Sequence, residues 1–139
     1  MIYIDTSLLL PIYVPEANSQ RANQVIEGAE GLLISDLTVA ELLVGLARKV
    51  KLDELPPNRA QEVRAAFEQH MSEGFLQRLP VSGKHSEAAG ELALRSPVIL
   101  RTLDAIHLAV AVDSQATTVA TLDNRLADAA RAIGLEVIP

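Results

Sequence analysis

Residues 31–51 read GLLISDLTVAELLVGLARKVK, and this stretch predicts a buried β-strand followed at once by a helix. GLLIS is a short, continuous apolar run of the kind that forms a fully buried strand. Residues 36–51 are apolar on most of their helical faces and finish in a basic cluster, which is typical of a helix C-terminus. A strand without polar alternation that runs straight into a helix indicates a parallel sheet covered on both faces.

The alternation of strand and helix continues along the whole chain. Further strands are predicted at 2–5, 75–81, 117–122 and 135–138, and further helices at 7–14, 17–28, 57–72, 84–95, 102–114 and 124–133. Pro11 is expected to interrupt or bend the first helix, and Gly28 and Gly134 to end two others. The prediction is an α/β fold of three layers, α/β/α, with a central, mainly parallel sheet of four to five strands. With no internal repeat and no long linker, residues 1–139 are expected to form a single domain.

Composition narrows the class of protein. Hydrophobic residues make up 49% of the chain, which is enough for a core, and the absence of cysteine excludes disulfides and thiolate chemistry. A chain without cysteine is compatible with a reducing cytosol, and we expect a cytoplasmic protein. There is no secretory signal at the start and no apolar run near the roughly 18 residues of a membrane span, so no membrane association is expected. The net charge of −6 argues against nucleic-acid binding, unless the acids hold metal ions.

Four carboxylates stand inside or at the edge of the apolar runs, namely Asp5, Glu41, Asp104 and Asp123. Burying an ionised carboxylate is costly unless a cation pairs with it. Two of these acids end or follow predicted strands, and the other two lie on helices that leave or enter the sheet. Because sites form outside the carboxyl ends of parallel strands, all four can meet at one edge and share a hard divalent cation, Mg²⁺ or Mn²⁺.

Each acid also has a purely structural explanation. Asp5 and Asp123 have the positions of helix N-caps, and Thr38 and Glu41 have the T-x-x-E spacing of a capping box. If Thr102 caps the next helix, Asp104 lies in its first turn, where the helix dipole favours an anion.

Periodicity favours a functional site for two of the four acids. Glu41 shares one face of its apolar helix with Thr38 and Gly45, and Asp104 shares a face with Arg101 and His107. A capping box accounts for an acid at a helix start, but it does not account for a polar stripe along a buried helix. The face that carries Glu41 is therefore expected to meet something polar.

Neighbouring polar residues have several possible roles. Ser7 and Thr121 each lie two residues from one of the acids, where a hydroxyl can orient a carboxylate or a water, or serve a turn or a cap. For His107 a hydrogen bond to the backbone or to a carboxylate is favoured over catalysis. His70 and His85 lie in polar helical segments and are expected at the surface.

Four motifs together resemble the PIN-domain family, and more narrowly the VapC-like ribonuclease toxins of type II toxin–antitoxin pairs. They are YIDTS at 3–7, SDLTVAELL at 35–43, LDAIHLAVA at 103–111 and TLDNRLADAA at 121–130. The resemblance implies an acidic pocket of Asp5, Glu41, Asp104 and Asp123 that binds Mg²⁺ or Mn²⁺, supported by Ser7 and Thr121. It also implies a homodimer, an RNA substrate and a cognate antitoxin protein that blocks the pocket.

The function predicted from these residues is a metal-dependent endoribonuclease that hydrolyses RNA, as the toxin of a toxin–antitoxin pair. In this hypothesis Asp5 and Asp104 are the core ligands, and Glu41 and Asp123 hold metal directly or through water. Two alternatives stay open. One is a non-catalytic partner-binding module whose acids are caps only. The other is a phosphatase with Asp5 as nucleophile, although such sites commonly have a second acid two residues on, where this chain has Ser7.

Overall fold

A computed structural model describes residues 1–27, 29 and 31–139. Within them, five strands form one sheet: Ile2–Ile4 (β1), Leu32–Ser35 (β2), Leu76–Leu79 (β3), Thr118–Ala120 (β4) and Glu136–Ile138 (β5). The helices are Thr6–Tyr13 (α1), Ser19–Ile26 (α2), Asp36–Lys51 (α3), Pro57–Ser72 (α4), Gly83–Arg95 (α5), Thr102–Asp113 (α6) and Asn124–Ala132 (α7). Among the helices of these residues, none combines the length and apolar character needed to cross a membrane.

The order of the strands fixes where a site can form. The sheet runs β3-β2-β1-β4-β5, and every neighbouring pair is parallel. The chain first builds outward from β1 through β2 to β3, and then returns to add β4 and β5 on the other side of β1. The direction of building therefore reverses between β1 and β4. In open parallel sheets the crevice outside the carboxyl ends of two such strands is the usual place for a ligand.

Each face of the sheet is covered by its own set of helices, as the alternation of side chains along a strand requires. Ile4 and Ile34 belong to a core formed with α1 to α4, where Phe67 of α4 is also buried. Tyr3 and Leu33, their neighbours in β1 and β2, belong to a second core formed with α6 and α7 and flanked by α5. The predicted three-layer α/β/α fold with a central parallel sheet is confirmed.

Most element boundaries agree with the prediction to within two residues or so, and the differences have local causes. α1 is not interrupted at Pro11 but continues to Tyr13: Pro11 lacks only the N–H that would bond the Ser7 carbonyl, and the Val14 N–H still bonds the Leu10 carbonyl beyond it. α2 begins at Ser19 rather than at residue 17, and the predicted stop at Gly28 lies outside the described residues. Gly134 does end α7, since its backbone φ of +88° is a left-handed conformation that glycine adopts without strain.

The start of α3 corrects the predicted capping box. The cap is Ser35, the last residue of β2: its side chain accepts from the Thr38 backbone N–H, and the Thr38 side chain accepts from the Ser35 N–H. The strand runs into the helix with no linking residue, so Thr38 is the third helical position rather than the cap. Glu41 lies one turn beyond and takes no part in capping, so its carboxylate is free for other contacts.

The prediction that His70 and His85 are surface residues is wrong. His85 is only 4% exposed; its Nδ1 accepts from the Ser82 backbone N–H, and its Nε2 lies 3.2 Å from a carboxylate oxygen of Asp113. It thereby ties the start of α5 to the end of α6. His70 is half-buried, with its Nδ1 at 2.6 Å from the Tyr13 hydroxyl. Helical segments with polar sequences hide single buried positions of this kind, because one inward residue per turn leaves little periodic signal.

Candidate active site

The four acids singled out in the sequence line one cavity. It has a volume of about 310 Å³ and lies outside the carboxyl ends of β1 and β4, between α1, α3, α6 and the start of α7. We refer to it as the acidic cavity. Its lining contains Asp5, Ser7, Glu41, Asp104 and Asp123, together with Thr6, Arg101, Thr102, Leu103 and His107. Residues far apart in the sequence are thus brought to the one edge of the sheet that the topology favours.

Asp5 is the most deeply buried of these acids, at 6% exposure. It occupies the N-cap position of α1, but its side chain makes no capping hydrogen bond. Instead Ser7 Oγ donates to its Oδ1 at 2.8 Å. Burial raises the pKa of Asp5, and the hydrogen bond from Ser7 and the charge of His107 only partly oppose that rise. A nearby cation would stabilise the ionised form of such a buried carboxylate and so lower its pKa again.

Ser7 and Thr121 form a bridge between the ends of the two central strands. Ser7 Oγ lies 3.2 Å from Thr121 Oγ1 and accepts from the Leu122 backbone N–H at 2.9 Å. Thr121 Oγ1 in turn accepts from the backbone N–H of Asp123 at 3.0 Å. Ser7 therefore orients the Asp5 carboxylate directly, whereas Thr121 fixes the backbone of Asp123 rather than its carboxylate.

Glu41 is anchored through one of its two oxygens. Oε1 accepts from Thr6 Oγ1 at 2.9 Å and lies 2.6 Å from His107 Nε2. Burial by itself would raise the pKa of Glu41, but the hydrogen bond and charge of His107, with the bond from Thr6, leave that pKa below its usual value. The polar face predicted for α3 thus meets a polar partner on α1 and another on α6.

Asp104 and Asp123 differ in the hydrogen bonds that their carboxylates make. Asp104 is in the first turn of α6, and its Oδ2 is a buried side-chain oxygen with no hydrogen-bond partner among the described residues. Burial raises the pKa of Asp104, and the neighbouring charge of Asp123 raises it further. Asp123 is a true N-cap, because its Oδ1 accepts from the backbone N–H groups of Arg125 and Leu126.

The donor set suits a hard divalent cation, but the acids are not gathered tightly around one point. Such a cation would bind the buried Asp104 oxygen that has no hydrogen-bond partner among the described residues. It would also stabilise the ionised forms of Asp5 and Asp104, whose pKa values are raised. Yet in the described part of the chain no three or more His, Cys, Asp or Glu side chains are close enough together to hold one ion. The Glu41 carboxylate is hydrogen-bonded to Thr6 and His107, and the Asp123 carboxylate is hydrogen-bonded to the backbone of its own helix. Close ligation by all four would therefore need side-chain movements or bridging water.

Two residues that line the cavity, Thr6 and Arg101, and one behind it, Tyr3, were missed or understated in the sequence. Thr6 lies between Asp5 and Ser7 in the YIDTS motif, but nothing in its pattern pointed to Glu41. Tyr3 gave no signal, since a tyrosine within a buried strand is ordinary core. Arg101 was placed on the polar stripe of α6 and is an exposed cation that lines the acidic cavity.

Comparison with known proteins identifies the class. The PIN domain family matches residues 2–132, so the chain belongs to the PIN-domain family. The chain is also 30% identical over 139 residues to ribonuclease VapC46 of Mycobacterium tuberculosis, covering 99% of this chain and 95% of that protein. The predicted membership, and the likeness to a VapC ribonuclease, are both confirmed.

Solved structures share the fold at lower sequence identity. VapC20 of Mycobacterium tuberculosis, described as a sarcin-ricin loop cleaving toxin, superimposes with a TM-score of 0.76 at 20% identity, covering 100% of each chain. FitAcB from Neisseria gonorrhoeae gives 0.75 at 22% identity, covering 100% of this chain and 97% of that one. A toxin–antitoxin complex from Klebsiella pneumoniae gives 0.70 at 22% identity, with the same coverage.

Proposed function

We propose that the protein is a metal-dependent endoribonuclease and the toxin of a toxin–antitoxin pair. The observation that carries the proposal is the buried Asp104 Oδ2, which has no hydrogen-bond partner among the described residues and lies beside Asp123 in a cavity that Asp5 also lines. If the four acids served only as helix caps, leaving the Asp104 oxygen buried and unpaired would cost about 1–3 kcal/mol without any compensating interaction. The match to the PIN family and the likeness to a VapC ribonuclease supply the reaction.

PIN-domain ribonucleases generally use divalent metal ions, and for this chain we propose Mg²⁺ or Mn²⁺. Asp5 and Asp104 are the core ligands, whereas Glu41 and Asp123 hold the metal directly or through water. Bound there, the ion supplies an activated water and neutralises the charge that develops on the phosphate.

The chain's own residues prepare the site for that chemistry. Ser7 holds the Asp5 carboxylate in one orientation, and its bridge to Thr121 keeps the ends of β1 and β4 in register. Thr6 and His107 fix Glu41 from two sides. Arg101, exposed at the cavity, offers the phosphate a charged hydrogen-bond donor next to the acids that would otherwise repel it.

The substrate in this proposal is single-stranded or looped RNA, whose backbone can be splayed into a cleft. The acidic cavity would be blocked by a cognate antitoxin, as the toxin–antitoxin complexes with the same fold suggest. Charge favours an antitoxin that places an Arg against the four acids. We further propose that the protein is cytoplasmic and that residues 1–139 act as one domain within a homodimer.

The test is cleavage of single-stranded RNA by the purified protein with Mg²⁺ or Mn²⁺. EDTA and Asp5→Asn should each abolish cleavage, because one removes the ion and the other removes a core ligand. The matched control is Asp53→Asn, which makes the same chemical change at an exposed residue outside the cavity. Asp53 has a φ of 56°, a conformation that asparagine tolerates well, so the control should fold and cleave like wild type. Cleavage that survives both EDTA and Asp5→Asn would refute the proposal.

The rival function is a non-catalytic binding module. It is favoured by one observation, namely that the described residues hold no close group of three ligands. Calorimetry separates the two: a module whose acids are only caps should bind no Mn²⁺ at millimolar concentration, whereas the proposed nuclease should bind it.

A further inference from the structure

A chain of buried hydrogen bonds leads away from Glu41 into the core. His107 is 3% exposed, and its Nε2 lies 2.6 Å from Glu41 Oε1 while its Nδ1 lies 2.7 Å from the Tyr3 hydroxyl. Tyr3 is fully buried, and its hydroxyl also lies 2.8 Å from Ser35 Oγ. The chain therefore links the N-cap of α3, a strand of the sheet, a residue of α6 and an acid of the cavity.

The chemistry of the groups fixes the direction of the contact with Glu41. An ionised carboxylate only accepts, so His107 Nε2 carries the proton and donates to Oε1. The Tyr3 hydroxyl has a single proton, so it either donates to Nδ1 while accepting from Ser35 Oγ, or donates to Ser35 Oγ while accepting from Nδ1. In both arrangements Tyr3 occupies Nδ1, so both nitrogens of the His107 ring are engaged.

The result is an unequal use of the two oxygens of Glu41. Oε1 takes two hydrogen bonds, from Thr6 and from His107, whereas no described side chain donates to Oε2. The imidazole has little freedom to turn, because its ring meets the Tyr3 ring edge to face at 5.8 Å and both nitrogens are engaged. These contacts hold Glu41 in one rotamer, in which Oε1 is hydrogen-bonded within the protein and Oε2 has no donor among the described side chains.

We infer that His107, locked by Tyr3, is a positioning residue that holds Glu41 Oε1 and so presents Oε2 to the cation. This inference rests on the proposed metal-dependent nuclease and adds two residues, Tyr3 and His107, that act through Glu41. Neighbours that orient the ligands of a metal site are typically worth about 10-fold to 100-fold in metal affinity. We expect a loss of affinity in the same range here, because a Glu41 side chain without these hydrogen bonds must be ordered each time an ion binds.

The experiment is calorimetric titration of Mn²⁺ into wild type and four variants, with thermal melting in EDTA measured alongside. Tyr3→Phe removes only the hydroxyl, and His107→Leu removes both ring contacts. His107→Gln keeps an N–H donor for Glu41. Tyr13→Phe is the matched control, since Tyr13 and His70 form an equally close hydroxyl–imidazole pair that does not line the acidic cavity.

Tyr3→Phe and His107→Leu should weaken Mn²⁺ binding about 10-fold to 100-fold, His107→Gln should retain most of the affinity, and Tyr13→Phe should bind like wild type. A merely structural role would lower the melting temperature of Tyr3→Phe and Tyr13→Phe alike without changing Mn²⁺ affinity, and that result would overturn the inference. If His107→Leu does not fold, Tyr3→Phe decides. Wild type that neither binds Mn²⁺ nor cleaves RNA would instead refute the proposed function itself.

Discussion

Asp104→Asn should make the metal-free protein more stable while abolishing its response to Mn²⁺. Asparagine keeps the size of the side chain and removes the charge that burial and Asp123 both disfavour. The buried Oδ2 has no partner among the described residues. Leaving such a group unpaired costs about 1–3 kcal/mol, and more when it is charged, so the neutral amide reduces this cost without removing it. Asp104 is only half-buried, so the lower end applies. We expect a gain of about 1 kcal/mol, equivalent to about 3 °C in melting temperature for a chain of this size.

The dependence on pH follows from the direction of the shift. The pKa of Asp104 is raised in the folded state, so the wild-type fold is favoured while the carboxyl is protonated and loses that advantage as pH rises through the folded pKa. Asparagine does not titrate. The stability difference between variant and wild type should therefore be smallest near pH 4 and grow as the pH rises toward 7.

The assay is urea or thermal unfolding at low ionic strength in EDTA, repeated with Mn²⁺. An ion present at about 100 times its Kd should stabilise wild type by about 2.7 kcal/mol and leave Asp104→Asn nearly unchanged, so the order of stability reverses. Asp53→Asn should follow wild type in both conditions. A variant that is no more stable than wild type in EDTA, or that gains as much from Mn²⁺, would refute the reasoning.

Three further predictions concern the surroundings of the acidic cavity. Arg101→Gln should weaken RNA binding at low salt and reduce the slope of log affinity against log salt concentration by about 1, as filter binding would show; an unchanged slope would exclude a phosphate contact. Ser7→Ala should cost about 1–2 kcal/mol in urea unfolding, because it leaves the Leu122 N–H without its acceptor and frees Asp5. Leu126→Ala, in the core beneath α7, should cost about 2–5 kcal/mol in stability while Mn²⁺ affinity in the folded protein stays near wild type.

Strand–helix alternation was enough to predict the fold because every buried strand is a continuous apolar run between amphipathic helices. GLLIS and TTVATL each hold a strand in the middle of the sheet, and their order with the helices left few possible topologies. The edge strand β3 was predicted too long, since two exposed residues, Gln77 and Arg78, give it a weak pattern. Buried polar positions such as His85 were missed, because burial of a single residue is decided by a neighbouring element that the local sequence does not show.

The candidate site was predictable in its members but not in its contacts. Acids inside apolar runs are visible in a sequence, and the topology brings Asp5, Glu41, Asp104 and Asp123 to one cavity. Glu41 is bonded to His107, 66 positions away, and Ser7, which orients Asp5, is bonded to Leu122, 115 positions away; no local spacing encodes such contacts. The structure also shows that one acid can serve two purposes, since Asp123 caps α7 and still lines the cavity.

Anomalous diffraction from crystals grown in millimolar Mn²⁺ would show whether the four carboxylates form a cation site. We expect one or two manganese peaks inside the acidic cavity, with oxygens of Asp5 and Asp104 at about 2.1 Å from the ion. Crystals soaked in the same Mn²⁺ that show peaks only on exposed carboxylates, with the cavity empty and each acid still bonded to its own helix, would contradict it.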